Sequence, residues 1–179
     1  MQAPEYIETE RLILRRPLPA DAEGIFSRYA SDPDVTRYLG WSCHRSIEQT
    51  RAFLTFCDSA WANWPGGPYI IESREPRVLL GGTGFGFETP LQAAVGYVLA
   101  KEVWGRGYST EALGALVGIS PEVGIRRLYA YCHPEHKASS RVLEKCGFSL
   151  EGKLRRHSEF PNLGSAGLSD VLCYARAFG

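Results

Sequence analysis

Between Val95 and Leu113 the chain reads Val-Gly-Tyr-Val-Leu-Ala-Lys-Glu-Val-Trp-Gly-Arg-Gly-Tyr-Ser-Thr-Glu-Ala-Leu. Gly105 and Gly107 bracket Arg106, and Ser109 and Thr110 open a helical pattern. A strand, a glycine turn and a helix start in that order leave several backbone N–H groups unpaired at a helix N-terminus. Such a cluster carries partial positive charge and suits a phosphate or pyrophosphate. Glycine serves there because a Cβ would block close approach of the ligand or a positive φ. The chemistry this spacing offers is the binding of a phosphate-bearing ligand.

Other nucleotide motifs fit less well. A dinucleotide fingerprint needs a third glycine where Thr110 stands. A Walker A loop needs Gly-Lys-Ser/Thr, and Gly152-Lys153 is followed by Leu154. Gly81-Gly-Thr-Gly-Phe-Gly86 lies inside a strand pair and reads as a bulge or twist device. Taken alone, Gly105-Arg-Gly107 describes a tight strand-to-helix turn equally well. Cys132, His133, Glu135 and His136 are metal-ligand types, but Pro134 and the lack of a second cluster speak against convergence, so no metal site is expected. His157, beside Arg155 and Arg156, would line a substrate groove or meet solvent. Tyr38, Trp41, Phe53, Trp61 and Trp64 would form the wall of a substrate site, or else serve the core or a dimer contact.

The elements that must position this loop follow from periodicity. Leu12 to Arg16 reads as a strand ended by Pro17 and Pro19. Residues 20–30 place Ala22, Ile25, Phe26 and Tyr29 on one helical face, and Pro33 breaks that helix. Ser46-Ile-Glu-Gln49 has the form of a capping box before a helix through Cys57. Tyr69–Glu72, Val78–Phe87 and Ala93–Ala100 read as strands. The helix after Gly107 buries Ala112, Leu113, Leu116 and Val117, and Pro121 is expected to end or kink it. Arg127–Cys132 alternates as a strand, and Lys137–Cys146 is a helix closed by Gly147. Phe148–Arg155 and Ser169–Ala177 are the last strands, joined by residues 162–167. The order β-α-α-β-β-β-α-β-α-β-β predicts an α/β (α+β) fold with a mixed sheet and helices on both faces.

Composition bounds the function. A chain of 179 residues with ordinary hydrophobic content suits one domain, taken as 1–179. Twenty Lys and Arg balance 20 Asp and Glu, which argues against nucleic acid as a partner. No run approaches the ~18 apolar residues of a membrane span. The first ten residues are polar and acidic, and Cys43, Cys57, Cys132, Cys146 and Cys173 read as reduced thiols, so a cytoplasmic protein is expected.

The whole chain, from residue 9 to about residue 177, resembles the GNAT acetyltransferases, and within them the branch of ribosomal-protein N-terminal acetyltransferases. Thr9-Glu-Arg-Leu-Ile-Leu-Arg15 is similar to that branch's opening strand, and Asp21 to Leu39, with Ser31-Asp-Pro-Asp-Val-Thr-Arg-Tyr-Leu39, to its first helix and loop. Trp104-Gly-Arg-Gly-Tyr-Ser-Thr-Glu-Ala112 resembles its acetyl-CoA pyrophosphate loop. His133-Pro-Glu-His-Lys-Ala-Ser-Ser-Arg-Val-Leu-Glu-Lys-Cys-Gly-Phe148 resembles the second signature, Asn-x-Ala-Ser-x-Arg-Val-Leu-Glu-Lys-x-Gly-Phe. Glu102 stands where the superfamily loop begins with Gln or Arg, and His136 replaces the signature Asn.

The resemblance implies the GNAT fold, with a mostly antiparallel central sheet, and acetyl-CoA as cosubstrate. It implies transfer of acetyl to a primary amine by direct attack, on a small molecule or a protein N-terminus, in a monomer or homodimer. Trp104, Gly105, Arg106, Gly107, Tyr108, Ser109 and Thr110 would hold the pyrophosphate; Val98, Leu99 and Ala100 would pair with the pantetheine and aim an N–H at the acetyl oxygen; His136 would contact the pantetheine arm. Ser139 matches the serine that the family places near the thioester sulfur, although the residue alone also reads as an exposed helix start. Glu159 lies where some relatives carry a glutamate base, with the alignment offset by one residue, and reads equally as a solvated charge. Two rivals stand beside this reading: a catalytically silent acyl-CoA-binding module, and an NAD- or nucleotide-binding enzyme.

Overall fold

The computed structural model describes residues 1–164 and 167–179. Its strands are β1 (Tyr6–Glu8), β2 (Leu12–Arg15), β3 (Pro68–Ser73), β4 (Leu79–Thr89), β5 (Gln92–Leu99), β6 (Arg127–Cys132), β7 (Ser149–Ser158) and β8 (Ser169–Ala177). The helices are α1 (Ala22–Ile25), α2 (Pro33–Thr36), α3 (Ile47–Asn63), α4 (Tyr108–Val123) and α5 (Lys137–Lys145). The strands form one sheet in the order β1-β2-β3-β4-β5-β6-β8-β7. Every neighbouring pair is antiparallel except β5 and β6. The mixed, mostly antiparallel sheet predicted from the sequence is therefore present.

Helices cover both faces because adjacent strand residues point to opposite sides. Ile70 packs with Ala22, Ile25, Tyr29 and Leu54. Its neighbour Ile71 belongs instead to the larger core with Leu113, Leu116, Leu128 and Leu143. Thus α1 and part of α3 lie against one face, and α4 and α5 against the other.

The parallel pair sets the architecture of the site. β5 and β6 pair only over Gln92↔Arg127, Ala93↔Leu128 and Ala94↔Tyr129. Beyond Ala94 the two strands part, while β5 keeps its register with β4 out to Gly81↔Leu99. A wedge-shaped cleft opens where β6 would have continued. On the other edge of β4, Ile71 pairs with Gly81 and Glu72 with Leu79, so Leu80 is an extra residue. The bulge thus lies at Leu80, immediately before the glycine run in which a bulge or twist device was expected, and Gly81–Gly84 themselves pair in regular register. A Cβ on Gly81 would meet the Val98 carbonyl at 2.0 Å, so only glycine lets β4 and β5 approach here.

Several sequence expectations need correction. β1 was not foreseen: three residues with one partly buried side chain carry no usable alternation. The helix over 20–30 is instead a 3-10 turn at Pro19–Asp21, then α1, then a π turn at Phe26–Ala30. Pro33 does not simply break a helix; it opens α2, where its missing N–H costs nothing, and Asp32 caps that turn by accepting from Asp34 N–H at 2.8 Å. Pro121 lies inside α4, and the helix ends at Gly124, with φ 97°. The capping residue Gln49 accepts from the Arg45 and Ser46 N–H groups. Residues 165 and 166 of the predicted β7–β8 connection lie outside the described residues.

Candidate active site

The glycine loop takes the conformation that its composition requires. Gly105 has φ 75° and Gly107 φ 81°, both left-handed, and Gly107 is the N-cap of α4. The first helical bond of α4 runs from Glu111 N–H to the Gly107 carbonyl at 3.1 Å. The N–H groups of Tyr108, Ser109 and Thr110 precede that bond and form the orphan first turn of the helix. Orphan N–H groups at a helix start are the kind of group that suits an anion.

Arg11 braces this loop from the β1–β2 turn. It donates to the Arg106 carbonyl at 3.0 Å, pairs with Glu111 at 2.7 Å and sits 4.6 Å over the Tyr108 ring. Glu111 also accepts from Thr9 Oγ1 at 2.6 Å and from Arg11 N–H at 2.8 Å. Burial alone would raise the Glu111 carboxyl, but these donors outweigh it and hold it below the usual carboxylate range. A depressed folded-state value stabilises the protein above the ordinary carboxylate range, and that stability is lost as the pH falls through the folded value. Glu111→Gln is therefore expected to lower stability at pH 7 by roughly 1–2 kcal/mol. The deficit should shrink as the pH drops below about 4, which thermal unfolding of both proteins across pH will check.

One cavity of about 750 Å³ runs along the open side of β5. Ala100 N–H bonds to the Leu80 carbonyl at 2.8 Å, so strand alternation turns the Leu99 backbone toward the cleft. There the Leu99 carbonyl accepts from Trp104 Nε1 at 2.8 Å. The structure brings Val98, Leu99, Trp104, Gly105, Gly107, Tyr108, Ser109, Thr110, His136 and Ser139 onto the wall of this cavity. Ala100 and Arg106 are not on it: Ala100 is buried against β4, and Arg106 gives its carbonyl to Arg11. Glu159 is exposed, just beyond the end of β7, and does not line the cavity.

Sequence reasoning missed two parts of this wall. The first is Tyr97, whose hydroxyl lies 2.9 Å from Ser139 Oγ. Alternation could have found it, since Tyr97 stands two residues before Leu99 on the same side of β5. The second is the placement of the segment from Asp34 to Leu39: Tyr38 was expected to face a ligand, but nothing in the sequence put the segment on the same cavity as the glycine loop. The segment is tied to that loop region by Lys101–Asp34 at 2.5 Å, with Arg28–Glu102 at 2.6 Å alongside. Glu102, the departure from the superfamily loop, is thus the partner of Arg28. Arg141 and Lys145 of α5 add cationic side chains to the same wall.

His136 stacks on Tyr38 with ring centroids 4.9 Å apart, and His133 stacks on the same tyrosine at 5.1 Å. Burial, and then the neighbouring His133, hold the His136 pKa below the ordinary imidazole value, so the ring is neutral at neutral pH. A neutral imidazole still offers one N–H donor. Of the aromatic residues considered for an acceptor wall, Trp61 is buried in the core, Phe53 packs on the α1 side, and Trp64 stacks on Phe87. Tyr38 lines the cavity, and Trp41 is part-exposed beside His44. His157 packs on Tyr131 at 4.6 Å.

Residues 11–149 match the Acetyltransferase (GNAT) domain family. The uncharacterized N-acetyltransferase YoaA of Bacillus subtilis (strain 168) is 34% identical over 154 residues, which is 84% of this chain and 86% of that protein. The GNAT-family acetyltransferase of Bacillus anthracis superposes with a TM-score of 0.82 at 26% identity, covering 96% of this chain and 98% of that one. RimL, the ribosomal L7/L12 alpha-N-protein acetyltransferase solved with coenzyme A, superposes with a TM-score of 0.84 at 22% identity, covering 97% and 98%. At that identity the likeness to RimL is one of fold. With a family match over most of its length and a relative above 30% identity across both chains, this protein belongs to the GNAT acetyltransferases.

Proposed function

We propose that this protein transfers an acetyl group from acetyl-CoA to a primary amine, either a protein N-terminus or a small amine, by direct attack on the thioester. The observation that carries this reading is the layout of one cavity. An orphan helix turn with two positive-φ glycines lies on its wall, as do a strand that has lost its partner and the Tyr97–Ser139 pair. Acetyl-CoA supplies the activated acetyl group. The glycine loop and the first turn of α4 suit its diphosphate, since anions are favoured at that end of a helix. Arg141 and Lys145 add positive charge beside it. The cleft-facing backbone of β5 suits the amide-bearing arm, and His136 offers it a donor. Fixing the thioester in the cleft removes the entropy cost of meeting the amine.

In this reading Ser139 protonates the departing sulfur. Glu159 is exposed and does not line the cavity, so it would take the amine proton only through water. The name of RimL supports a protein N-terminus as the acceptor, and the small-amine alternative stays open beside it.

A panel of short peptides with free N-termini and of small primary amines, incubated with acetyl-CoA, tests this reading. Free thiol is counted against N-acetyl product by mass spectrometry. The expected result is one thiol released per acetylated amine for at least one member of the panel. Tight acetyl-CoA binding with no product from any amine would favour the acyl-CoA-binding module. In the same assay Glu159→Gln is expected to lower kcat strongly without changing acetyl-CoA affinity, and normal turnover would assign the amine proton to solvent.

A further inference from the structure

We infer that Tyr97 is a positioning residue for acetyl transfer: its phenol sets which way the Ser139 hydroxyl points, and so whether that proton faces the departing sulfur. The inference rests on the reading above that Ser139 protonates the thiolate.

Tyr97 reaches Ser139 across 42 residues of sequence, from the stretch of β5 that has parted from β6 to the first turn of α5. Its hydroxyl lies 2.9 Å from Ser139 Oγ and also 2.9 Å from the Ser139 carbonyl oxygen. Both side chains stand on the wall of the cofactor cavity. The carbonyl can only accept, so the pair has two arrangements. In one, Tyr97 donates to the carbonyl and its oxygen accepts the Ser139 proton, which is then engaged by Tyr97 and not offered to a group in the cavity. In the other, Tyr97 donates to Ser139 Oγ, and the Ser139 proton is free to face the cavity.

Negative charge on sulfur selects the second arrangement. A hydroxyl that accepts one hydrogen bond donates the next more strongly, because the two bonds polarise each other. The phenol itself stays protonated. Burial raises its pKa well above the tyrosine range; the bond with Ser139 opposes that, and the Cys132 and Cys146 thiols add to it. Tyr97 is therefore a fixed donor rather than a proton source.

The proton count closes without an extra reactant. The amine nitrogen forms its bond to the acetyl carbon, and the carbon–sulfur bond breaks with its electron pair left on sulfur. Ser139 Oγ–H passes its proton to that sulfur, giving the free thiol of CoA. Oγ regains a proton from the water that receives the one lost by the amine. Tyr97 holds Oγ in place throughout.

CoA itself, without any acceptor, is a sufficient probe. The ultraviolet absorbance of its thiolate, titrated with pH while bound to the protein, reports how far the site favours the charged sulfur. In the wild-type protein the bound thiol is expected to ionise at lower pH than free CoA. Ser139→Ala should return it toward the free value. Tyr97→Phe keeps the ring and its packing, and should raise the proton affinity of the bound sulfur about tenfold over wild type, the effect of losing one bond that supports a charge. Combining the two substitutions should add little to Ser139→Ala alone, since both remove one unit. A Tyr97→Phe titration identical to wild type, with Ser139→Ala still returning the thiol to its free value, would overturn the role of Tyr97 and leave that of Ser139. A Ser139→Ala titration identical to wild type would overturn both.

Discussion

Gly107→Val is expected to abolish acetyl-CoA binding, by ~100-fold or more in Kd, the equivalent of about 3 kcal/mol, while leaving the protein folded. Two effects combine at this position. Gly107 has φ 81°, where a β-branched side chain is strained, so the turn would rearrange and re-aim the orphan N–H groups. The nearest heavy atom to a Cβ built there is Arg11 Nη2 at 3.5 Å, an ordinary contact, so the chain itself does not clash. The rest of the valine side chain would enter the space that the ligand needs. Calorimetric titration, with circular dichroism confirming the fold, measures the effect. Unchanged affinity in the folded variant would remove the glycine loop from the binding site.

Ser139→Ala is expected to lower kcat by ~100-fold, the usual contribution of a positioned general acid. Acetyl-CoA affinity should change little, because a group that acts only as charge develops on sulfur is felt in the transition state and not in the ground state. Direct binding measurements beside steady-state kinetics separate the two. Turnover equal to wild type would hand thiolate protonation to water. A rise in Kd with kcat unchanged would make Ser139 a binding contact.

These two predictions draw on parts of the site that differ in how far the sequence reveals them. Gly105, Gly107 and the start of α4 were legible because their signal is local: a positive-φ turn needs glycine, and the helical pattern begins beside it. The strands β3 to β6 were legible within a residue or two for the same reason. Distant elements decide the remainder. Tyr97 and Ser139 meet only because β5 and α5 converge at the cleft, and no window of sequence holds both. The parting of β5 from β6 after Ala94 is a matter of register between strands whose paired residues, such as Ala94 and Tyr129, lie far apart in the chain, whereas alternation reports only which way a side chain faces.

The helix breaks show the same limit from the other side. Residues 20–30 carry a clean helical face, yet packing of Tyr29 and Ala30 against β3 goes with a π turn rather than an even helix. Pro121 could close α4 in principle, but it lies in the last turn, and Gly124 supplies the left-handed residue that ends the helix. His136 was singled out as a replacement for the family asparagine. Its stacking on Tyr38, with His133 on the same ring, joins residues from two loops nearly a hundred positions apart and leaves no trace in either alone.

Thermal unfolding in the presence of acetyl-CoA, NAD and ATP tests the central claim most directly, because it asks which phosphate-bearing ligand the cleft was built for without presupposing an acceptor. At a 100-fold excess over Kd, acetyl-CoA should stabilise the protein by ~2.7 kcal/mol. For a domain of this size that corresponds to a rise in Tm of about 5–11 °C. NAD and ATP share the diphosphate but lack the pantetheine arm that the open edge of β5 suits, and should raise Tm far less at the same concentration. Equal shifts from all three, or none from acetyl-CoA, would contradict the assignment of this cleft to acetyl-CoA.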